Sequence, residues 1–322
     1  MAVIRLDNGG KRCGGKWVLW DVSLEIEPEG ILGVFGRSNS GKTALARILA
    51  GLDQPTRGSI TCEDASEPAM LRGEMQPRSI AGPVGVSLGF ERPALAPELT
   101  VYENLGMFAS LWGVRRRARA KRIAFLLELV GLAERRSARP AQLSSGEARR
   151  AEIARALVAD APLTVIDSLV DTLDRDVLEK LWDYLLAQCR EHGKAFVVMT
   201  GSARVAGLCG RMAVIHKGKI VFVGRPDDFR RLGGEDLVVL SELSSPALRK
   251  RIEERLSVVI KEEEGFLSFR VSNGERMISD LLAEFGSDLG CVYLKRPTLD
   301  DALDVLSGGS TPAVVSAGRV EP

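Results

Sequence analysis

A chain of 322 residues that is 45% hydrophobic and 27% charged can build one large core and a smaller one, which excludes a disordered or fibrous protein. Its formal net charge of +1 gives no global attraction to nucleic acid or to an anionic membrane surface. Cys13, Cys62, Cys189, Cys209 and Cys291 form no C-x-x-C pair, no apolar run reaches the ~20 residues of a membrane helix, and the N-terminus lacks a secretory pattern, so a cytoplasmic chain without disulfides or zinc is expected.

Residues 3 to 6 and 17 to 26 alternate as strands do, and the turn at Pro28 to Gly30 leads into a short buried strand, Ile31 to Phe35. Next come Gly36, Arg37, Ser38, Asn39, Ser40, Gly41, Lys42 and Thr43, which fit G-x-x-x-x-G-K-[ST], and then an apolar helix, Ala44 to Ala50, ended by Gly51. Strand, glycine-rich loop and helix N-terminus in that order turn backbone amides toward a nucleoside triphosphate. Lys42 would reach its β/γ-phosphates and Thr43 would ligate Mg²⁺. The alternative is an ordinary glycine turn. Asn39 stands where many such loops place a glycine; asparagine tolerates positive φ, so the loop should keep its shape.

Residues 52 to 82 are rich in Pro, Gly and charge, and Gly85 to Phe90 reads as a strand. Val101 to Leu132 is apolar at helical spacing and carries Arg115, Arg116, Arg117, Arg119, Lys121 and Arg122, a solvated face or a contact for a partner or lipid headgroups. No aromatic residues are interleaved with those charges, so no nucleic-acid partner is expected. Leu143, Ser144, Ser145, Gly146 and Glu147 precede the helical run Ala148 to Val158. Serines there cap a helix, or with its free amides clamp a phosphate from across a dimer. The strand Leu163 to Asp167 ends in a carboxylate suited to Mg²⁺. Helix Val177 to Gln188, strand Ala195 to Met199 and a hairpin about His216, Lys217 and Gly218 close a first domain, residues 1 to 225. A linker at 226 to 235 precedes a small α+β domain at 236 to 307. It has strands at Leu237 to Leu240, Ser257 to Ile260, Leu267 to Val271 and Cys291 to Leu294, helices at Pro246 to Leu256 and Arg276 to Phe285, and a disordered tail at 308 to 322.

The phosphate loop, the LSSGE run leading into ARRAEIARAL, and the strand ending in Asp167 with Leu173 and Asp174 beyond it together resemble the ATP-binding subunit of an ABC transporter, over roughly residues 3 to 225. The resemblance implies an α/β fold, a P-loop NTPase of ABC type with an antiparallel lead-in sheet, a parallel core and a helical subdomain at about 91 to 158. Lys295 to Asp301 and the small C-terminal domain are similar to the drug- and antibiotic-export branch. In the family two such subunits pair head to tail, each ATP lying between the phosphate loop of one and the signature of the other, beside an integral membrane transport subunit at the inner face of the cell membrane. Here the signature is Leu143 to Glu147, with Ser144 facing the partner's ATP. Ser145 replaces a glycine and Glu147 a glutamine.

The departures at the hydrolytic positions all run one way. Ser168 stands at the general-base position, and a serine does not accept the proton of the attacking water at neutral pH. Gly201 stands at the switch-histidine position. The chain's two histidines, His192 in a loop and His216 in the hairpin, are not placed to substitute. Glu91 replaces the metal-sensing glutamine and could ligate Mg²⁺ with Thr43 and Asp167. Cys13 replaces the adenine-stacking aromatic, while Trp17 and Trp20 stack on adenine instead or pack against the strand. The expectation is a site that binds ATP and Mg²⁺ without turnover, in the silent half of a heterodimer that exports a small molecule. Two alternatives are a soluble ATP-dependent regulator or scaffold, and a slow homodimeric ATPase using Glu91 or Asp171 as base.

Overall fold

A computed structural model describes residues 3–64, 67–69, 85–240, 246–263, 266–286, 288–308 and 315–316. The chain divides into two compact units, 1–226 with 313–322, and 227–312.

The first unit opens with an antiparallel sheet. Strands β1 (Val3–Cys13) and β2 (Lys16–Ile26) form a hairpin, and β1 also pairs with β4 (Arg57–Asp64), which pairs with β5 (Glu67–Ala69). Both of these last strands lie within 52 to 82, where glycine, proline and charge had hidden them; residues 65, 66 and 70 to 82 of that stretch are outside the described residues. Between β2 and β4 the chain forms β3 (Ile31–Phe35) and α1 (Lys42–Leu49), and β6 (Val86–Gly89) follows β5.

A run of helices comes next: α2 (Val101–Leu111), α3 (Arg116–Leu129) and α4 (Ser145–Val158). The single helical segment expected over 101 to 132 is broken at Gly113, whose φ of 71° no helix accommodates. Thr100 caps α2, accepting the Glu103 N–H at 3.2 Å. Two members of the arginine cluster serve the fold. Arg119 Nε donates to Val114 O at 2.6 Å, and Arg122 reaches Leu157 O at 2.7 Å and pairs with Asp160 at 2.9 Å. Arg115, Arg116, Arg117 and Lys121 are exposed, as a solvated face requires.

The remaining elements complete a central sheet: β7 (Leu163–Asp167), α5 (Arg175–His192), β8 (Ala195–Thr200), a four-residue α6 (Ala203–Ala206), β9 (Arg211–His216) and β10 (Lys219–Gly224). His192 therefore ends a helix instead of lying in a loop. The strands run in the order β10-β9-β3-β8-β7-β6, with β9, β3, β8, β7 and β6 mutually parallel and the β9–β10 hairpin antiparallel. Both faces are covered, so these strands read as continuous apolar runs. Val34, Val165 and Val197 pack with Leu45 and Ile48 of α1 on one side. Ile166, Phe196 and Val198 pack on the other with Leu157 of α4 and Leu181 and Leu185 of α5.

The second unit contains α7 (Pro226–Arg231), β11 (Asp236–Leu240), α8 (Pro246–Leu256), β12 (Lys261–Glu263), β13 (Phe266–Val271), α9 (Gly274–Phe285), β14 (Val292–Lys295) and α10 (Leu299–Gly308). All four strands are antiparallel, ordered β12-β13-β11-β14. Val238, Phe269, Leu248, Ile252, Leu281 and Phe285 form its core. The expected linker is thus partly helical. The strand expected at 257 to 260 forms instead at 261 to 263, because Ser257 adopts a φ of 55° and ends α8. In the expected tail, β15 (Val315–Ser316) pairs in parallel with Phe222 and Val223 of β10; residues 309 to 314 and 317 to 322 are outside the described residues.

Candidate functional site

The phosphate loop leaves the C-terminal end of β3, a strand central to the parallel sheet, where ligands of open α/β sheets bind. Its shape is set by close approach. A Cβ on Gly36 would lie 2.4 Å from Ile215 O, and one on Gly41 would lie 2.7 Å from a Leu19 methyl, at a φ of 110°. Asn39 does adopt the left-handed conformation expected of it, with φ 62°. Gly41 is the N-cap of α1, and no side chain caps that helix, so its first amides are left to a ligand. The buried Ser40 hydroxyl likewise has no hydrogen-bond partner. Free amides, an orphaned hydroxyl and a cation at one helix start fit a polyphosphate.

Lys42 is buried, and its Nζ donates to Gly36 O at 2.7 Å and Arg37 O at 2.8 Å. Burial lowers its pKa, opposed by the carboxylates of Asp167, Asp171 and Glu91. Asp167, at the end of β7, is 2% exposed. Burial raises its pKa, while a hydrogen bond with the Thr43 side chain lowers it and Glu91 raises it further. Sequence reasoning brought Lys42, Thr43, Asp167 and Glu91 to one place, and the structure gathers all four. Among the described residues no three His, Cys, Asp or Glu side chains converge as a metal site. Asp167 and Glu91 offer carboxylates of the kind by which Mg²⁺, a hard cation, is commonly held together with a nucleotide's phosphates.

Ser168 has a φ of 55° and donates its N–H to Met199 O at 2.9 Å. Its hydroxyl leans on Asp167 Oδ1 at 3.4 Å. Beside it, Asp171 does something the sequence did not suggest. Its carboxylate accepts the Thr200 hydroxyl and, at 2.8 Å, the Gly201 N–H. Asp171 therefore braces the turn after β8, where the histidine would stand; the proximity of Asp167 and Asp171 in sequence was the available signal. His216 lies at the end of β9, and burial lowers its pKa, helped by Lys217 and by Arg37 of the phosphate loop.

The signature lies at the start of α4. Ser144 is the N-cap: its Oγ accepts the Glu147 N–H at 3.2 Å, and Glu147 accepts the Ser144 N–H at 2.8 Å. That backbone bond and the Arg135 guanidinium hold the Glu147 carboxyl at about 2, so it is ionised at any physiological pH. Capping and phosphate contact, offered as alternatives by the sequence, are compatible. An accepting hydroxyl keeps its own proton to donate. Ser144, Ser145 and Gly146 are exposed, and Leu143 packs on the core beneath. Upstream, Trp17 and Trp20 meet edge to face at 4.9 Å, each about 40% exposed, with Arg12 over Trp17; Cys13 is exposed beside them.

A family model described as ABC transporter matches residues 19–170. The methionine import ATP-binding protein MetN of Clostridioides difficile is 30% identical over 247 residues, covering 74% of this chain and 76% of that protein. Its namesake in Ralstonia nicotianae is 33% identical over 249 residues, covering 74% and 69%. Among solved structures, the dimer of an ATP-binding cassette in a post-hydrolysis state bound to ADP and Pi aligns with a TM-score of 0.59 at 25% identity, over 69% of this chain and 98% of that one. Another dimeric structure of that same protein, described as a bacterial ABC transporter cassette, aligns with a TM-score of 0.56 at 28% identity, over 67% and 96%.

These relatives are named for import, not for the export expected from Lys295 to Asp301. The structure gives that run a local role. Thr298 caps α10, accepting the Asp301 N–H at 3.1 Å while Asp301 accepts the Thr298 N–H at 2.8 Å. A helix-start signature of this kind arises wherever a helix must begin, and so does not mark a transporter branch.

Proposed function

The chain belongs to the ABC transporter family as an ATP-binding subunit, and from that premise we propose that its own site holds Mg-ATP without hydrolysing it, while its signature completes the site of a second, active ATPase subunit. The observation that carries this reading is the asymmetry at the ends of β3 and β7. Lys42, Thr43 and Asp167 are gathered to grip phosphate and metal, whereas position 168 offers a hydroxyl turned onto Asp167 where a carboxylate base is needed. ATP, when bound, supplies the phosphates that draw two subunits together across their faces. The chain's part is to bind them, to keep Ser144 exposed at the α4 N-terminus, and to leave water unactivated.

The subunit would act beside an integral membrane transport subunit at the inner face of the membrane; among the described residues no helix is long and apolar enough to cross one. The relatives' names favour uptake over the export first expected, and the cargo would be chosen by the membrane subunit, because no residue of this ATP site meets it. A slow homodimeric ATPase is disfavoured by the engagement of Asp171, whose two oxygens hold Thr200 and Gly201. Glu91 is exposed, and its charge bears on Lys42 and Asp167, the groups set to hold phosphate and metal. A soluble ATP-dependent scaffold would bind nucleotide in the same way, but would lack a membrane subunit in its purified complex.

Restoring the missing carboxylate tests the reading. Ser168→Glu is expected to raise Mg-dependent phosphate release by about 100-fold, the low end of a general base's contribution. Unchanged release, with ATP binding intact, would mean that the absent base is not what silences the site.

A further inference from the structure

The corner between α2 and α3 carries charge of one sign only. From 104 to 127 the chain has Arg115, Arg116, Arg117, Arg119, Lys121 and Arg122 and no acidic residue, the nearest being Glu103 and Glu128. Arg119 and Arg122 are tied to the backbone carbonyls of Val114 and Leu157, and so fix the corner to the fold. Arg115, Arg116, Arg117 and Lys121 are exposed and have no ion-pair partner among the described residues. Beside them α2 turns two large apolar side chains to solvent, Met107, 42% exposed, and Leu111, 56% exposed, four residues apart and therefore on one helix face. Gly113 N–H donates to Ser110 O at 3.1 Å and Val114 N–H to Ala109 O at 2.9 Å, so the turn that joins this apolar pair to the arginines is closed by its own backbone.

A helix face built only to be solvated gains from opposite charges at i, i+4. Here Arg115 and Arg119, and Arg117 and Lys121, are like charges at that spacing, which weakens a helix instead of supporting it. Arg115, Arg116 and Arg117 also stand at the positive end of the α3 dipole, and no acidic residue occupies its first turn to offset them. The fold alone gains nothing from this cluster; an external anionic surface would offset its self-repulsion. We propose that the corner rests on the anionic headgroups of a membrane, with Arg115, Arg116, Arg117 and Lys121 at the level of the phosphates and Met107 and Leu111 entering the interface beside them. Cations without a fixed partner suit a fluid array of headgroups, and the exposed apolar pair suits the acyl boundary next to it. A nucleic acid finds no aromatic residue interleaved with these charges. With a net charge of +1 the attraction has to be local, and the cluster makes it so. This rests on the reading of the chain as a subunit at the inner face of a membrane, and adds to docking on a membrane subunit a contact with the lipid itself.

The test is flotation of the full chain with vesicles of phosphatidylcholine alone and of phosphatidylcholine mixed with phosphatidylglycerol, with no membrane protein present. The unmodified chain is expected to partition onto the anionic vesicles about 100-fold or more strongly than onto the neutral ones, each basic side chain near such a surface contributing about 5-fold. Raised salt should release most of it. Arg115→Gln/Arg116→Gln/Arg117→Gln should lose about 30-fold or more of that preference. Met107→Ser/Leu111→Ser, which keeps every charge, should weaken partition onto the anionic vesicles by about 10-fold. All five side chains are exposed, so both variants should stay folded and bind a non-hydrolysable ATP analogue within about 2-fold of the unmodified chain. Inorganic phosphate at a concentration too low to screen should not displace the chain; displacement would mark a phosphate-ion site and overturn the lipid surface. Full preference retained by the arginine variant would overturn it as well. An unmodified chain that binds the analogue yet floats with neither vesicle, or equally with both, overturns the lipid contact, leaves the ATP-site reading standing, and turns the arginines toward an acidic protein surface. A chain that floats as expected and binds no analogue overturns the ATP-site reading alone.

Discussion

Lys42→Ala is expected to weaken binding of Mg-ATP by about 10- to 100-fold, the factor corresponding to a charge-assisted hydrogen bond of about 1.5–3 kcal/mol. The loss should be specific to the ligand. Among the described residues Lys42 Nζ bonds to Gly36 O and Arg37 O, two carbonyls of the loop it belongs to, so its removal frees a local turn and not a core element. Titration calorimetry with a non-hydrolysable analogue, beside thermal unfolding of the same preparations, separates the two effects. An unaltered affinity would remove the phosphate loop from the account.

The second large effect concerns the signature. Ser144→Arg is expected to lower ATP hydrolysis by the complex with the active subunit by about 100-fold or more, comparable to removing a hydrogen-bond donor from a reacting oxyanion, while nucleotide binding at this chain's own loop is retained. Arginine has no acceptor for the Glu147 N–H, so the cap is lost too, at a cost of about 1 kcal/mol that leaves a chain of this size folded. Ser144→Asp distinguishes capping from phosphate contact. Aspartate caps as well as serine but repels phosphate, and the pair's activity should fall with α4 undisturbed. Activity that survives Ser144→Asp would show that the exposed hydroxyl meets no nucleotide across an interface.

What could be read from the sequence is what local rules decide. Ile31 to Phe35 and Leu163 to Asp167 are bounded by the residues expected, because short apolar runs between turn signals leave little choice of register. Asn39 and Ser144 take the conformations their side chains favour. The errors fall where tertiary context outweighs local preference. The strand β4 pairs with β1, β5 pairs with β4 at the sheet's edge, and both carry little apolar pattern of their own. Gly113 breaks a helical segment whose periodicity continues on both sides, and Ser257, with a φ of 55°, follows a helix that ends where expected while the strand after it starts only at Lys261. Val315 and Ser316 look featureless, yet they find the open edge of β10. The site divides the same way. Grip residues contiguous in the loop were evident, whereas the brace of Asp171 on Gly201 and the clamp of Glu152 on Phe90 and Ala94 join segments 30 and more residues apart.

The central claim is that this chain holds ATP and does not consume it, and single-turnover phosphate release from the isolated chain loaded with Mg-ATP tests it most directly. The account predicts that the bound nucleotide is recovered as ATP, with release no faster than that of Lys42→Ala. Brisk release that disappears on Lys42→Ala would contradict it.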